Sequence, residues 1–216
     1  MVFDIIKYNK IRKFLDNYYH KSDEKVSFIA VTKNQPVSAI NAAIEAGILN
    51  FGENRVQEAE IKYKDNINKD KLKLHLIGHL QTNKVKKAID IFDFFHTLDR
   101  DNLANEFSKY LENNLSKKFL IQVNTGMENQ KSGIMPNIAS EFIQYCIQDK
   151  KLNVIGLMCL PPQEDDPQKH FLMLKKIASK NNLKQLSMGM TSDYKIAVEC
   201  GSTFIRIGTG IFGQRV

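Results

Sequence analysis

Cysteine is scarce and tryptophan is absent in this chain, whose 216 residues contain three cysteines and no tryptophan. The cysteines are Cys146, Cys159 and Cys200, and none of them forms a CxxC pair. An odd number of widely spaced cysteines fits neither a zinc site nor a disulfide framework. We therefore expect no bound metal and a reducing, intracellular setting.

Long apolar runs are also missing. Residues 1–25 mix charged side chains with Phe3, Ile6, Phe14 and Tyr18 at helical spacing, and no stretch reaches the length that a membrane span needs. A signal peptide would need an unbroken apolar segment, which this N-terminus lacks. The sequence therefore predicts an N-terminal amphipathic helix, a cytoplasmic location and no membrane interaction.

No motif supports nucleotide or nucleic-acid binding. The GxxxxGK[ST] pattern does not occur, and the one GxGxxG string, GTGIFG at residues 208–213, follows the last predicted strand instead of opening a βαβ unit. The net charge of +7 leaves nucleic-acid binding as an alternative. The lysines, however, are scattered over presumed helix faces and loops, including the stretch from Lys62 to Lys73. A solvated surface explains this distribution better, and we expect no nucleic-acid partner.

Linkers rich in proline, glycine or serine are absent, which predicts one domain over residues 1–216. Short apolar runs alternate instead with helical patterns. The eight predicted strands are Val26–Val31, Ile48–Phe51, Lys73–Ile77, Ile91–His96, Phe119–Asn124, Val154–Met158, Lys184–Met188 and Thr203–Ile207.

Right-handed crossovers leave few ways other than a closed barrel to bury both faces of so many parallel strands. The sequence therefore predicts an α/β fold, a single (β/α)8 TIM-type barrel with an extra N-terminal helix. This helix is expected to cover the place of a missing eighth helix. An open doubly wound sheet is the alternative architecture.

Lys33 stands at the carboxyl end of the first predicted strand. The carboxyl ends of barrel strands form the rim on which active sites lie. The same rim is expected to receive Asn54 after the second strand, His79 after the third, His96 at the end of the fourth and Cys159 at the end of the sixth. We interpret Cys159 as a small packed residue, with a thiol near a ligand as the alternative.

Two other histidines receive structural interpretations. His75 and His79 are four residues apart, a metal-binding spacing only on a helix, and here they flank the end of a predicted strand. We therefore expect His75 to be buried or paired, and we place His170 on a helical surface.

Small and hydroxylated residues follow the last two predicted strands. This set is Ser187, Gly189, Thr191, Gly208, Thr209 and Gly210. Barrels commonly bind phosphate in the loops after strands seven and eight, and glycine lets the backbone approach an anion closely. Serine and glycine also form ordinary turns, so the prediction of a phosphate site depends on a second feature of the rim.

The second feature is Lys33, which we expect across the rim from the phosphate loops. A lysine and a phosphate cradle together imply a phosphorylated aldehyde bonded to the amine, which is how proteins carry pyridoxal 5′-phosphate (PLP). Arg206, in the eighth predicted strand, would keep the pyridine nitrogen of PLP unprotonated because a guanidinium is permanently charged. The ring would then be a weaker electron sink than one paired with a carboxylate.

Several strings of residues resemble a known family when taken together. They are AVTKNQP, NFGENRVQE, LHLIGHLQTNK, FFHTLDR, GLMCLPP, LSMGMTSD and AVECGSTFIRIGTGIFG, in this order over residues 26–213. They resemble the pyridoxal phosphate homeostasis protein family, whose members look like the barrel half of alanine racemase. The cofactor-binding residues that the resemblance implies are Lys33, Asn54, His79, Ser187, Met190, Thr191, Arg206, Gly208 and Thr209.

The resemblance also implies a role for each of these residues. Lys33 is expected to form the internal aldimine and Arg206 to face the pyridine nitrogen. Thr191 is expected to hold the phosphate together with the residues of the GTG segment, although it stands where we would expect serine. His79 stands where many bacterial relatives carry proline, so its place beside the ring departs from the family pattern.

The function that the resemblance implies is PLP binding and homeostasis without established catalysis. Such a protein has no catalytic residues, holds and delivers the cofactor to PLP-dependent apoenzymes, and is expected to be a monomer. The alternative is a PLP-dependent amino-acid racemase. Two-base racemisation needs an acid or base on each face of the cofactor, and in alanine racemase a separate domain contributes to the second. This chain is expected to stop after the barrel, and Tyr194 is the one tyrosine in a rim motif.

Overall fold

The strands of this protein form a closed barrel. The structure is a computed structural model that describes residues 3–22, 25–64, 66, 69–111 and 116–213. Within these residues, eight parallel strands follow one another around the barrel in chain order, and β8 pairs with β1. The strands are β1 Ser27–Val31, β2 Asn50–Glu53, β3 Lys73–Leu76, β4 Phe94–Leu98, β5 Lys118–Gln122, β6 Val154–Met158, β7 Gln185–Ser187 and β8 Phe204–Ile207. The predicted barrel is confirmed, and the open sheet is wrong.

Helices surround the barrel. They are α1 Ile5–Ser22, α2 Val37–Glu45, α3 Val56–Tyr63, α4 Val85–Ile91, α5 Asp101–Tyr110, α6 Ala139–Gln144, α7 Pro167–Lys180, α8 Tyr194–Glu199 and α9 Thr209–Phe212. Short 3₁₀ turns occur at Lys69–Lys71 and Thr82–Lys84, and a π turn at Tyr145–Asp149 continues α6. None of the helices in the described ranges combines the length and apolar composition that crossing a bilayer requires.

Two strands begin two or three residues later than the sequence pattern predicts. Gly47 ends α2 with a φ of 86°, and the backbone N–H of Ile48 donates back to Ala43 O, so Ile48 belongs to the helix end rather than to β2. In the same way α4 runs to Ile91, and β4 begins only at Phe94. Apolar residues at helix ends were therefore assigned to strands, and both predicted boundaries were wrong by two or three residues.

The predicted N-terminal helix is present and packs against α9. We expected no helix after β8, and the structure corrects this, because the short α9 occupies that place. The backbone N–H of Asp4 donates to Ile211 O at 2.7 Å, and the Tyr8 ring contacts the Phe28 ring of β1 at 5.3 Å between centroids. The predicted apolar face is partly wrong, because Ile6 is 67% exposed. Tyr8 occupies the buried face instead and joins α1 to the barrel wall.

The core has two layers. The larger one lies between the barrel and its helices and includes Phe51 and Tyr63. The smaller one takes a single side chain from each of five strands: Ile29, Phe94, Leu120, Met158 and Phe204. Filling a parallel barrel with side chains from several strands is typical of this architecture, which has a packed centre rather than a pore.

Gly156 allows β6 and β7 to approach each other closely. A Cβ atom at this position would lie 1.9 Å from the backbone oxygen of Gln185, its partner in the β6–β7 register. A backbone oxygen in a strand has no room to move without disrupting the pairing. We therefore expect Gly156→Ala to lower the free energy of unfolding by about 3 kcal/mol, measured by urea denaturation.

Gly52→Ala in β2 is the matched control. A Cβ atom there would lie 3.0 Å from Ile29 Cγ2, a side-chain methyl group that can shift. We expect the free energy of unfolding of this variant to fall by about 1 kcal/mol. Equal losses in the two variants would contradict the assignment of the Gly156 effect to a backbone clash.

Candidate functional site

Barrel closure brings the first and last strands together at the rim. Ile29 pairs with Arg206 across the β1–β8 junction, and a Cβ at Gly208 would lie 3.5 Å from Val31 Cβ. The half-buried Lys33, in the turn after β1, therefore follows the strand next to the one that leads into Gly208. We expected the lysine and the phosphate loop to face each other across the rim. The structure corrects this expectation, since the two segments are neighbours.

The turn that carries Lys33 is held by a buried polar cluster, which we call the Lys62 cluster. Its members are Thr32, Glu53, Glu58, Lys62 and Tyr63. Thr32 Oγ1 donates to Glu53 Oε1 at 2.7 Å, and Lys62 Nζ donates to the same carboxylate oxygen at 3.0 Å and to Thr32 O at 2.5 Å. The residue immediately before Lys33 is thus fixed through both its side chain and its backbone.

The residue after Lys33 is fixed by the same cluster. Asn34 has a φ of 60°, and its backbone N–H donates to Glu58 Oε1 at 2.5 Å. Glu58 Oε1 also accepts from Lys62 Nζ at 2.5 Å. Both neighbours of Lys33 are therefore tied to α3, which restricts the conformations available to the lysine backbone.

Sequence reasoning missed the Lys62 cluster. Lys62 was assigned to a solvated surface, yet only 8% of the residue is exposed. The available signal was the spacing of Glu58 and Lys62, four residues apart on one helix face, which favours an ion pair but says nothing about burial. The acidic partner Glu53 lies nine positions away in the preceding strand, where only the folded chain brings it to the lysine.

Glu53 is the most perturbed acid of this cluster. Burial raises the pKa of its carboxyl group to about 7, against the opposing effect of the nearby Lys62 ammonium. Its Oε1 atom has partners, whereas Oε2 is buried without a hydrogen-bond partner in the described part of the chain. A proton on Oε2 would relieve the cost of burying the charged form.

The GTG segment after β8 and the loop after β7 join at Thr191. The backbone N–H of Gly210 donates to Thr191 Oγ1 at 3.1 Å, and the hydroxyls of Thr209 and Thr191 are 3.4 Å apart. A Cβ at Gly210 would lie 3.0 Å from Thr191 Cγ2. Glycine therefore permits this close approach and leaves two hydroxyl groups on an exposed surface. Met190, also exposed, precedes them and donates its backbone N–H to Asp193 Oδ1 at 2.6 Å.

Arg206 lies buried below this surface. Its Nη1 donates to Ser187 Oγ at 2.5 Å, and its Nη2 donates to the backbone oxygen of Cys159 at 2.9 Å. Burial lowers the pKa of the guanidinium group, but arginine stays protonated at any physiological pH. Burial also raises the pKa of the Cys159 thiol to about 12, which agrees with its interpretation as a packed residue.

The histidines differ from the predicted arrangement. His96 lies inside the barrel rather than on the rim, because β4 does not end at His96 but continues to Leu98. Its ring nitrogens are 2.9 Å from His75 Nδ1 and 2.8 Å from Ser187 Oγ. His75 is buried and paired, as expected. His170 was placed on a helical surface, but it is 3% exposed, with Nε2 3.0 Å from Asp165 Oδ2.

Asn54 and His79 share a cavity of about 430 Å³ at the mouth of the barrel, together with residues of the loop after β5. Asn124 and Lys131 belong to that side of the cavity. The His79 side chain is 53% exposed, and its Nδ1 is 3.7 Å from Asp99 Oδ2. The two predicted ring-lining residues are therefore close to each other and beside the β5 loop.

The donor set fits a phosphorylated aldehyde that has a ring nitrogen. The fit rests on three features: the exposed hydroxyls of Thr191 and Thr209, the lysine in the adjacent turn, and a buried guanidinium whose two contacts are neutral oxygens. Among the described residues, no group of three or more His, Cys, Asp or Glu side chains could hold a metal ion.

Comparison with known proteins gives consistent similarities. The family model described as alanine racemase, N-terminal domain, matches residues 6–216. The chain is 36% identical over 205 residues to the pyridoxal phosphate homeostasis protein of Aquifex aeolicus, with 90% of each chain covered. Relatives with this name are described as homeostasis proteins rather than enzymes.

Solved structures show the same similarity. PipY of Synechococcus elongatus with PLP bound is 32% identical, with a TM-score of 0.83 over 97% of this chain and 99% of that one. PipY without PLP is 34% identical, with a TM-score of 0.86. Alanine racemase from Corynebacterium glutamicum is 12% identical with a TM-score of 0.72, over 99% of this chain and 62% of that one, which shows a shared fold alone.

The raised pKa of Glu53 predicts a pH dependence of stability. Between the ordinary glutamate value of 4.5 and about 7, the folded chain holds a proton on Glu53 that the unfolded chain has released. The free energy of unfolding contributed by this group therefore falls as the pH rises through that range. We expect the free energy of unfolding of the wild type, measured by urea denaturation, to fall relative to that of Glu53→Gln as the pH rises from 5 to 8.

Glu60→Gln is the matched control, because Glu60 pairs with Lys87 at the protein surface. The difference between wild type and this variant is expected to stay flat over the same pH range. If the difference in free energy of unfolding between the wild type and Glu53→Gln also stays constant with pH, Glu53 has the same pKa in the folded and unfolded states, and the prediction is wrong.

Proposed function

The chain belongs to the alanine racemase N-terminal domain family and, within it, to the pyridoxal phosphate homeostasis proteins, and from this premise we propose that it binds PLP through Lys33 and maintains PLP homeostasis without catalysis of its own. The observation that carries the proposal is the adjacency of the Lys33 turn to the GTG segment, with Arg206 beneath both. The structure of PipY with PLP bound supports the choice of ligand.

Lys33 supplies the reactive amine in this proposal. PLP, when bound, supplies an aldehyde that condenses reversibly with an amine and releases water. Thr191, Gly208 and Thr209 bind the phosphate, because an exposed loop with two hydroxyls and a glycine backbone offers short hydrogen bonds to an anion. The Lys62 cluster holds the backbone of the lysine turn while the bond forms.

The remaining residues line the ring. Arg206 donates a hydrogen bond to the pyridine nitrogen, with Ser187 and Met190 nearby. Asn54 and His79 border the ring on the side of the mouth cavity. The proposed unit is residues 1–216 as one PLP-binding domain.

The placement of the candidate bases supports the proposal that the protein does not turn over amino acids. His75 and His96 are fully buried, and burial lowers the pKa of each imidazole below its ordinary value. Tyr194 lies in α8, and its ring packs edge-on against Phe14 of α1 at 5.6 Å. His79 is a candidate at the rim, with its Nδ1 3.7 Å from Asp99 Oδ2, and Lys131 lines the same cavity.

The wider role in this proposal is that of a cytoplasmic, monomeric carrier that delivers PLP to PLP-dependent apoenzymes and limits free reactive aldehyde. The three cysteines are free and buried, which suits a reducing compartment. We propose PLP-dependent apoenzymes as the recipients, because they are the proteins that require this ligand.

Lys33→Ala tests the covalent bond. We expect the purified wild-type protein, incubated with PLP, to absorb near the edge of the visible range, and the variant to lose this band because no amine remains in the turn. Borohydride reduction followed by peptide mass spectrometry should place the added mass on the peptide that contains Lys33. Lys184→Ala, which changes a lysine before β7 at the opposite end of the barrel, should keep the band. An adduct on any other peptide would overturn the assignment of Lys33.

A racemisation assay tests the absence of catalysis. We expect the PLP-loaded protein to interconvert the enantiomers of alanine and serine at well below about 1 s⁻¹, the low end of ordinary enzyme turnover. The reason is that two-base racemisation needs a second acid or base on the opposite ring face. Turnover above that rate which disappears in His79→Gln would establish the racemase alternative and identify His79 as the second base.

A further inference from the structure

A chain of hydrogen bonds crosses the barrel interior from β2 to β8. Asn50 Oδ1 lies 3.1 Å from His75 Nε2, and His75 Nδ1 lies 2.9 Å from His96 Nε2. His96 Nδ1 lies 2.8 Å from Ser187 Oγ, which accepts from Arg206 Nη1 at 2.5 Å. Five side chains on five strands therefore form one connected path that ends at the guanidinium.

The two ends of this path fix its direction. Arg206 has only donors, so Ser187 Oγ must accept from it. The single hydroxyl hydrogen of Ser187 is then available to His96 Nδ1, which makes His96 Nε2 the protonated nitrogen and a donor to His75. His75 in turn donates through Nε2 to the amide oxygen of Asn50, which only accepts. Every bond in the path thus points away from Arg206.

Both imidazoles are neutral in this arrangement. Burial lowers the pKa of His75 to about 3 and holds the pKa of His96 well below its ordinary value, with the positive charges of Lys118 and Arg206 acting in the same direction on His75 and His96 respectively. A neutral imidazole carries one donor and one acceptor, which is what each ring uses here. The path therefore requires no charged histidine.

Packing holds the rings in place. The His75 ring stacks on Phe94 at 4.3 Å with an interplanar angle of 13°, and the His96 ring contacts Phe204 edge-on at 5.7 Å. Rings that are held by packing lose little further freedom when they hydrogen-bond. The direction of the Ser187 hydroxyl, and with it the position of Arg206 Nη1, is consequently set by residues that lie deep in the barrel.

We infer that Asn50, His75, His96 and Ser187 are positioning residues that aim Arg206 at the pyridine nitrogen of PLP. The inference rests on the proposed function. Among the described residues, Arg206 donates to Ser187 Oγ and to Cys159 O, and a guanidinium has five N–H groups in all, so it has more donors than these two contacts use. Because all bonds of the path point away from Arg206, the path has no proton to pass towards the ring.

Nuclear magnetic resonance of the imidazole nitrogens tests the direction of the path in unliganded protein. We expect both His75 and His96 to be neutral and protonated on Nε2, with shifts that do not titrate from pH 6 to pH 8. A proton on His96 Nδ1 would reverse the path and overturn the inference. This measurement needs no PLP and no variant.

PLP binding by His96→Leu tests the effect on Arg206. We expect the variant to bind PLP about tenfold more weakly, which is the effect of one lost hydrogen bond to a charged group, and to shift the absorbance of the bound cofactor. His170→Leu is the matched control, because it removes an equally buried imidazole from α7, outside the path. His96→Gln, which keeps a donor and an acceptor, should recover part of the affinity. Wild-type affinity and absorbance in His96→Leu would overturn the inference.

A double-mutant cycle separates positioning from general destabilisation. In an Arg206→Met background, His96→Leu should have no further effect on PLP affinity, because the residue through which it acts is gone. A full tenfold loss in that background would overturn the inference. Should His96→Leu fail to fold, Ser187→Ala interrupts the path at the next member and enters the same cycle. Failure of the wild type to bind PLP would refute the proposed function while the tautomer result stands.

Discussion

The pairing of β8 with β1 is the constraint on which the site depends. Four register pairs, from Ser27 with Phe204 to Ala30 with Ile207, join segments from opposite ends of the chain. The entropy cost of closing such a long loop grows only with the logarithm of its length, so the pairing costs little more than that of nearer strands. In an open sheet the same strands would be the outer edges, and Lys33 would be far from Arg206.

Two buried polar groups act on this junction from different directions. The Lys62 cluster reaches the Lys33 turn from α3, and the hydrogen-bond path from Asn50 reaches Arg206 through the barrel interior. Burying polar side chains is costly unless each finds a partner, and both groups meet this requirement almost completely. An apolar core would be simpler to stabilise, so the polar groups are best explained by the precision that they give to the lysine turn and the guanidinium.

The sequence predicts those features that depend on local pattern. Strand β6 has the predicted bounds, Val154–Met158, because an apolar run stands between a charged helix end and a loop with two prolines. Lys33 was predicted just after the first strand and Arg206 in the eighth, where the structure has them, because their strands are apolar and their neighbours are small or polar. The start of β4 was wrong because Ile91 satisfies a helix and a strand pattern equally well, and only the continuation of α4 decides between them.

The burial of Lys62 and the path through His96 were beyond prediction for a different reason. A lysine on a helix is usually predicted to be exposed to solvent. Lys62 has a buried partner only because the fold brings Glu53 of the preceding strand next to it. The sequence pattern places His96 at the end of β4, whereas the strand continues to Leu98. The partners of His96 come from β3 and β7, and Ser187 is 91 positions away in the sequence. Contacts of this range have no local signature, so pattern reasoning identifies the residue types but not their association.

In the proposed function, the contacts of Arg206 favour holding the cofactor over using it. A pyridine nitrogen that accepts a hydrogen bond from a guanidinium stays unprotonated, and the ring then withdraws electrons weakly from a bonded carbon. A carboxylate in place of Ser187 would offset the charge and weaken that constraint, whereas the hydroxyl and the carbonyl found here are neutral. The racemase that shares this fold at 12% identity shows that the barrel alone does not decide the chemistry. In the proposed function, the difference between storage and catalysis lies in which protons the site can move. His75 and His96 are buried and donate their ring protons away from Arg206, so the path supplies no proton to the ring.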